Sequence, residues 1–95
     1  MPASRKDIAF PEWVENIDDA CLSEAVKEAL IARSSAIRSG ALKSHKVCKA
    51  KFESAETTIE QIEFGRVTGA IACKKAATAM RKYAVADECA EPSRK

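Results

Sequence analysis

Residues 48–62 read CKAKFESAETTIEQI, and their apolar side chains recur at alternating intervals of four and three. The positions in this series are Cys48, Phe52, Ala55, Ile59 and Ile62. This spacing predicts a helix with one apolar face that packs against another helix. The pattern stops at Gly65, and a glycine inside a helix costs about 1 kcal/mol relative to alanine. A helix end near residue 64 is therefore expected.

Further helical segments lie on both sides of this one. Residues 18–39 carry an apolar stripe at helical spacing, formed by Leu22, Val26, Leu30 and Ile37. Gly40 follows it, and a glycine commonly ends a helix in the left-handed conformation. Residues 67–88 carry a third stripe, formed by Val67, Ala70, Ile71, Cys73 or Ala77, Met80 and Ala84. Residues 10–17 predict a short helical segment, because Pro11 suits a first helical position.

The predicted fold is a small all-α, up-down-up three-helix bundle, with turns near residues 40 and 64 and the 10–17 segment across one end. A competing arrangement makes residues 41–88 one helix about 70 Å long, which a monomer could not cover and which requires a dimer. We expect residues 1–9 to be a flexible lead, residues 10–89 one domain, and residues 90–95 a flexible tail.

The composition predicts a slender core, and the first residues predict a cytoplasmic location. Of the 46% apolar residues, 18 are alanine and 4 are cysteine, which leaves few large side chains. No apolar run approaches the roughly 18 to 20 residues of a membrane span, so no membrane association is expected. The first residues have charge but no apolar core, which is unlike a secretory signal.

Charge is segregated along the chain although the net charge is only +2. Residues 33–52 hold six basic residues and no acid, residues 53–65 hold four glutamates, and residues 66–82 hold five basic residues and no acid. Folding at Gly40 would produce a basic pole, toward which Arg81 and Lys82 late in the third helix would also reach, and an acidic pole at the other end. The predicted partner-binding residues are Arg33, Arg38, Lys43, Lys46, Lys49, Lys51, Arg81 and Lys82. The second helix begins basic and ends acidic, which opposes the helix macrodipole.

These features predict a non-enzymatic protein-binding module: a small adaptor, regulator or inhibitor that docks on a larger assembly through charged patches. One version is a phage or mobile-element inhibitor of a host nucleic-acid machine. The alternative is a weak, sequence-nonspecific nucleic-acid binder that uses the basic pole. A homodimer is a further option. No cofactor, metal or catalytic residue is expected.

The four cysteines show no Cys-x-x-Cys or zinc-finger spacing, and we expect them to be small buried apolar residues. With turns at 40 and 64, Cys21 comes within one helical turn of Cys73, whereas Cys48 and Cys89 lie more than about 10 Å apart, too far for a bridge. His45 and Cys48 share a helix face, which raises the hypothesis of a reactive pair. No third group orients the histidine, which argues against catalysis.

Overall fold

A computed structural model describes residues 10–90 and shows an up-down-up bundle of three α-helices within that range. The helices are α1 (Lys27–Ser39), α2 (Lys46–Glu63) and α3 (Gly69–Cys89). A 3₁₀ turn at Asp19–Cys21 and a π-helical turn at Leu22–Val26 lead into α1. The predicted fold class is therefore confirmed. The predicted lead (residues 1–9) and all but the first residue of the predicted tail lie outside the described residues.

The predicted N-terminal helical segment is present as a 3₁₀ helix over Glu12–Asn16, and its Trp13 and Val14 are buried. Two hydrogen bonds attach this region to the end of the bundle where α2 meets α3. The Asn16 side-chain amide donates to the Ile62 carbonyl at 2.8 Å, and the Asp18 backbone N–H donates to the Gly69 carbonyl at 3.2 Å.

The predicted helix end at Gly40 is confirmed. Gly40 has φ +84°, and its N–H donates to the carbonyl oxygens of the last helical turn. A 3₁₀ turn at Ala41–Lys43 follows, so α2 begins at Lys46 rather than near Ala41. His45 caps α2, because its Nδ1 accepts the Val47 backbone N–H at 3.0 Å.

Residues 64–68 separate α2 from α3, so the single long helix over 41–88 is wrong. Gly65 and Gly69 have φ of +72° and +62°, a conformation that residues with a side chain rarely adopt. The phase of α3 differs from that of the stripe predicted over residues 67–88. Ala70 and Ile71, predicted in its apolar stripe, are exposed. The buried residues of α3 are Ala72, Ala76, Ala79, Tyr83 and Ala86.

The central helix is α3, which packs along both α1 and α2. All five residues of the predicted α2 series are buried, as are Leu22 and Val26, the first two residues of the first stripe. The small side chains of α3 at Ala72, Ala76 and Ala79 are fully buried, in agreement with close helix packing. The prediction that Ile37 is buried at the end of the first stripe is wrong, because Ile37 is 46% exposed and Ala36 is buried instead.

Two disulfides tie α3 to α2 and to the 3₁₀ turn that precedes α1, so the prediction of unpaired buried cysteines is wrong. One disulfide joins Cys21 to Cys73, with a Cα–Cα distance of 6.3 Å, and the other joins Cys48 to Cys89, with a Cα–Cα distance of 5.6 Å. The expected proximity of Cys21 and Cys73 is confirmed, whereas the expected separation of Cys48 from Cys89 is wrong. That expectation assumed an abrupt turn at residue 64. In the structure a five-residue connection over 64–68 separates α2 from α3, and the bond shows that Cys89 lies beside Cys48.

Candidate functional site

One end of the bundle carries four exposed cationic side chains, contributed by Arg38, Lys43, Lys46 and Lys49. We refer to these four residues as the basic end. The end of α1, the Ala41–Lys43 turn and the start of α2 bring them together. Among the residues described, none of the four pairs with a carboxylate, and the one side-chain hydrogen bond is from Arg38 Nη1 to Ser34 Oγ at 3.3 Å. Their charges are therefore available to a partner.

The other predicted partner-binding residues lie further from this end. Lys51 is exposed two residues beyond Lys49 in α2. Arg33 binds Glu56 through Nε at 2.6 Å and Nη2 at 3.3 Å. Lys82 donates to Ser54 Oγ at 2.8 Å beside the middle of α2, and Arg81 is its neighbour in the chain.

The expectation that the late basic residues of the third helix reach the basic end is wrong. Because Cys89 is level with Cys48, the last turn of α3 reaches that end and brings Asp87 and Glu88 to it. Asp87 accepts a hydrogen bond from Ser35 Oγ at 2.9 Å. Acidic groups of α3 therefore border the basic end.

Three exposed aliphatic side chains accompany the cations of the basic end: Ile37 is 46% exposed, Leu42 is 44% exposed and Val47 is 50% exposed. Each is adjacent in the chain to one of the four cationic residues. The helical spacing of Ile37 predicts burial, whereas no helical stripe of the sequence includes Leu42 or Val47. The signal in the sequence that could have identified Leu42 and Val47 is their position next to Lys43 and Lys46. The basic end therefore offers apolar as well as electrostatic contacts.

A polar network joins the three helices near the middle of the bundle. Glu56 Oε2 accepts hydrogen bonds from Arg33 Nε at 2.6 Å and from the Tyr83 hydroxyl at 2.8 Å. The hydrogen bond with Glu56 raises the pKa of Arg33. Burial, followed by the contact with the Glu56 carboxylate, raises the pKa of Tyr83. This network positions α1, α2 and α3 relative to one another and leaves Arg33 committed to an internal partner.

The opposite end of the bundle is acidic. Glu60 and Glu63 are exposed near the end of α2, and the attached N-terminal segment adds Glu15 and Asp18. A shallow cleft of about 300 Å³ lies here between α1, α2 and the N-terminal segment. Its lining residues are Pro11, Trp13, Leu30, Arg33, Glu56, Ile59, Glu60 and Glu63. The two ends of the molecule therefore differ in charge, as the segregated sequence predicts.

The residues that suggested chemistry have structural roles. Cys48 is fully buried and bonded to Cys89, so it is not a thiol nucleophile or a thiolate ligand. The His45 Nδ1 lone pair accepts the Val47 N–H and caps α2. The reactive-pair hypothesis is therefore wrong. Within residues 10–90, no group of three His, Cys, Asp or Glu side chains is arranged to hold a metal ion.

Among the helices described, none is long and apolar enough to cross a membrane. The chain matches no protein-family model, no curated protein and no solved structure. Inferences about function therefore depend on the chemistry of its surfaces.

Proposed function

We propose that this protein is a non-enzymatic protein-binding module, an adaptor, regulator or inhibitor that docks its basic end on an acidic surface of a larger assembly. The observation that supports this proposal is the cluster of four exposed cations, none paired with a carboxylate of residues 10–90, interleaved with three exposed aliphatic side chains. Charge of one sign on a surface steers a partner of opposite charge and speeds association.

The aliphatic side chains favour a protein over a nucleic acid as the partner. Removing apolar area from water contributes about 25 cal/mol per Å², and protein surfaces offer apolar area beside carboxylates. A nucleic-acid backbone presents mainly phosphate and sugar. Asp87 and Glu88 would in addition approach the phosphates of a duplex laid across this end. Sequence-nonspecific nucleic-acid binding is therefore the second candidate, supported only by the exposed lysines that pair with no carboxylate in the described part of the chain.

The two disulfides indicate the kind of cellular compartment in which the protein functions. Disulfides persist in oxidising environments and are rare in the cytosol, where thiols are kept reduced. We therefore place the docking function in an oxidising compartment rather than in the cytoplasm that the sequence predicts. This placement disfavours the version in which the target is a cytoplasmic nucleic-acid machine.

The experiment compares capture by three immobilised proteins from extracts and culture fluid of the source cells. The first is the wild type, and the second carries Arg38→Glu, Lys43→Glu, Lys46→Glu and Lys49→Glu. The third is a matched control with four reversals away from the basic end, at Lys27, Lys74, Lys75 and Arg81. We expect an acidic protein that the wild type and the control retain and that the second variant loses.

A parallel titration with duplex DNA at about 50 mM salt tests the alternative, because phosphate contacts are strongest at low salt. DNA binding that the charge reversals at the basic end abolish, without any captured protein, would make nucleic acid the partner. Equal capture by all three immobilised proteins would rule out the basic end as the docking surface.

A further inference from the structure

The outward face of α2 carries a second regular series of residues. Positions 46, 50, 53, 57, 60 and 64 recur at alternating intervals of four and three, and all six residues are exposed. They are Lys46, Ala50, Glu53, Thr57, Glu60 and Phe64. We call these residues the outer face of α2. This spacing is the one that two packed helices use, yet none of the other described helices covers this face.

The charges on this side of α2 oppose its macrodipole. Lys46 and Lys49 lie in the first turns, where the helix end is partly positive, and Glu60 and Glu63 lie in the last turn, where it is partly negative. None of the four forms an ion pair with another residue in the described part of the chain. The stability of α2 therefore does not explain this arrangement, whereas an external partner of complementary charge would.

The outer face is complementary to itself when a second copy runs in the opposite direction. With the twofold axis between Glu53 and Thr57, Lys49 lies level with Gln61 of the second copy, one residue from its Glu60. Lys46 lies level with Phe64 of the second copy, one residue from its Glu63. Each contact occurs twice, because a twofold interface repeats every pair.

We propose that a second copy of this chain binds antiparallel along the outer face of α2, with the lysines of each copy against the glutamates of the other. Ala50 and Thr57, near the twofold axis, are small enough to let the two helices approach. Phe64 is 68% exposed, and in the pair it lies beside a lysine of the other copy, where a cation–π contact is favourable.

This inference rests on the proposed function, because Lys46 and Lys49 belong to the basic end. The acidic surface that they bind is here the end of α2 in a second copy, which carries Glu60 and Glu63. One exposed face of a helix buries less area than a standard interface. We therefore expect weak, reversible pairing, with a dissociation constant of about 10 µM to 1 mM. Added salt should weaken the pairing, because exposed charges are screened.

The test is sedimentation velocity of the full chain from about 10 µM to 1 mM, the range of the expected affinity. The wild type should form dimers as its concentration rises. The variants Lys46→Glu/Lys49→Glu and Glu60→Lys/Glu63→Lys should each associate at least about tenfold more weakly, because like charges then face each other. An equimolar mixture of the two variants should dimerise again, since one then has two acidic ends and the other two basic ends.

Two controls separate the outer face from general effects. Lys27→Glu/Lys74→Glu changes the net charge by the same amount at exposed positions near the starts of α1 and α3, and it should leave dimerisation unchanged. Both outer-face variants should unfold at temperatures no lower than the wild type, because their new charges agree with the macrodipole. A loss of pairing therefore does not reflect a loss of folding.

Three results would overturn the antiparallel pair: a wild type that stays monomeric throughout, outer-face variants that associate as well as the wild type, or a mixture that does not recover dimers. Oligomers that keep growing with concentration would indicate head-to-tail contacts and would also overturn it. None of these results decides the proposed function. That function fails separately if the capture experiment, done with dilute monomeric protein, shows no dependence on the basic end.

Discussion

Replacing Tyr83 with phenylalanine removes one hydroxyl from the polar network and leaves its packing in place. The Tyr83 ring is fully buried and packs edge-to-face on Phe52, with ring centroids 5.4 Å apart. Phenylalanine preserves that contact, so the substitution removes only the 2.8 Å hydrogen bond to Glu56. Glu56 keeps its two bonds from Arg33, which limits the cost of leaving it with one donor fewer.

We expect Tyr83→Phe to lower the free energy of unfolding by about 1.5 kcal/mol near neutral pH, the low end of the range for a hydrogen bond to a charged group, because Arg33 still binds Glu56. For a domain of this size, that loss corresponds to a decrease of about 5 to 10 °C in the unfolding midpoint. Urea unfolding followed by circular dichroism measures the free energy directly, and thermal unfolding provides an independent check.

The stability at alkaline pH provides a second test of the Tyr83–Glu56 hydrogen bond. Burial and the Glu56 carboxylate raise the pKa of Tyr83 in the folded state above its ordinary value of 10.0. Below about pH 10 the phenol is protonated in both states, and the hydroxyl contributes its full stability. Above about pH 10 the Tyr83 hydroxyl loses its proton in the unfolded state but keeps it in the folded state. The free energy of unfolding therefore falls by up to about 1.4 kcal/mol per pH unit. The advantage of the wild type over Tyr83→Phe should therefore vanish by about pH 11.

Tyr83 is the only tyrosine of the chain, so ultraviolet absorbance reports its ionisation directly. We expect the phenolate signal to appear only as the protein unfolds. Ionisation near pH 10 with the helical circular dichroism intact would refute the reasoning. A stability difference between wild type and Tyr83→Phe that is the same at pH 8 and pH 11 would refute it as well.

His45→Asp should raise the free energy of unfolding by about 0.5 to 1 kcal/mol, because aspartate is a better N-cap and its charge suits the helix start; His45→Ala should lower it by a similar amount in urea unfolding. Replacing Cys48 and Cys89 together with alanine should lower stability by about 3 to 4 kcal/mol, since the bridge closes a loop with a sequence separation of 41. Replacing Cys21 and Cys73, with a separation of 52, should have a similar effect. Peptide mapping without reduction should recover these two pairings, and a Cys21–Cys48 or Cys73–Cys89 peptide would contradict the described register.

The sequence by itself determines the features that depend on neighbours in the chain. The apolar series from Cys48 to Ile62 was sufficient to predict the buried face of α2, because helical periodicity is a local property. Gly40 predicted the end of α1, since glycine readily adopts the left-handed conformation there. The charge blocks predicted a cationic surface near the turn between α1 and α2, where Lys43 and Lys46 are indeed exposed.

Only the tertiary structure decided which distant residues meet. The connection over 64–68 and the packing of α3 along α2 together set the register of α3, and spacing in the chain reveals neither. A turn at residue 64 would place Cys48 level with residue 80 and Ser54 level with residue 74. The observed partners, Cys89 and Lys82, lie eight to nine residues further along α3, a distance of about 12 to 14 Å. The same connection sets the phase of α3, which buries Ala72 and exposes Ile71. The disulfide pairing and the acidic border of the basic end follow from that one register.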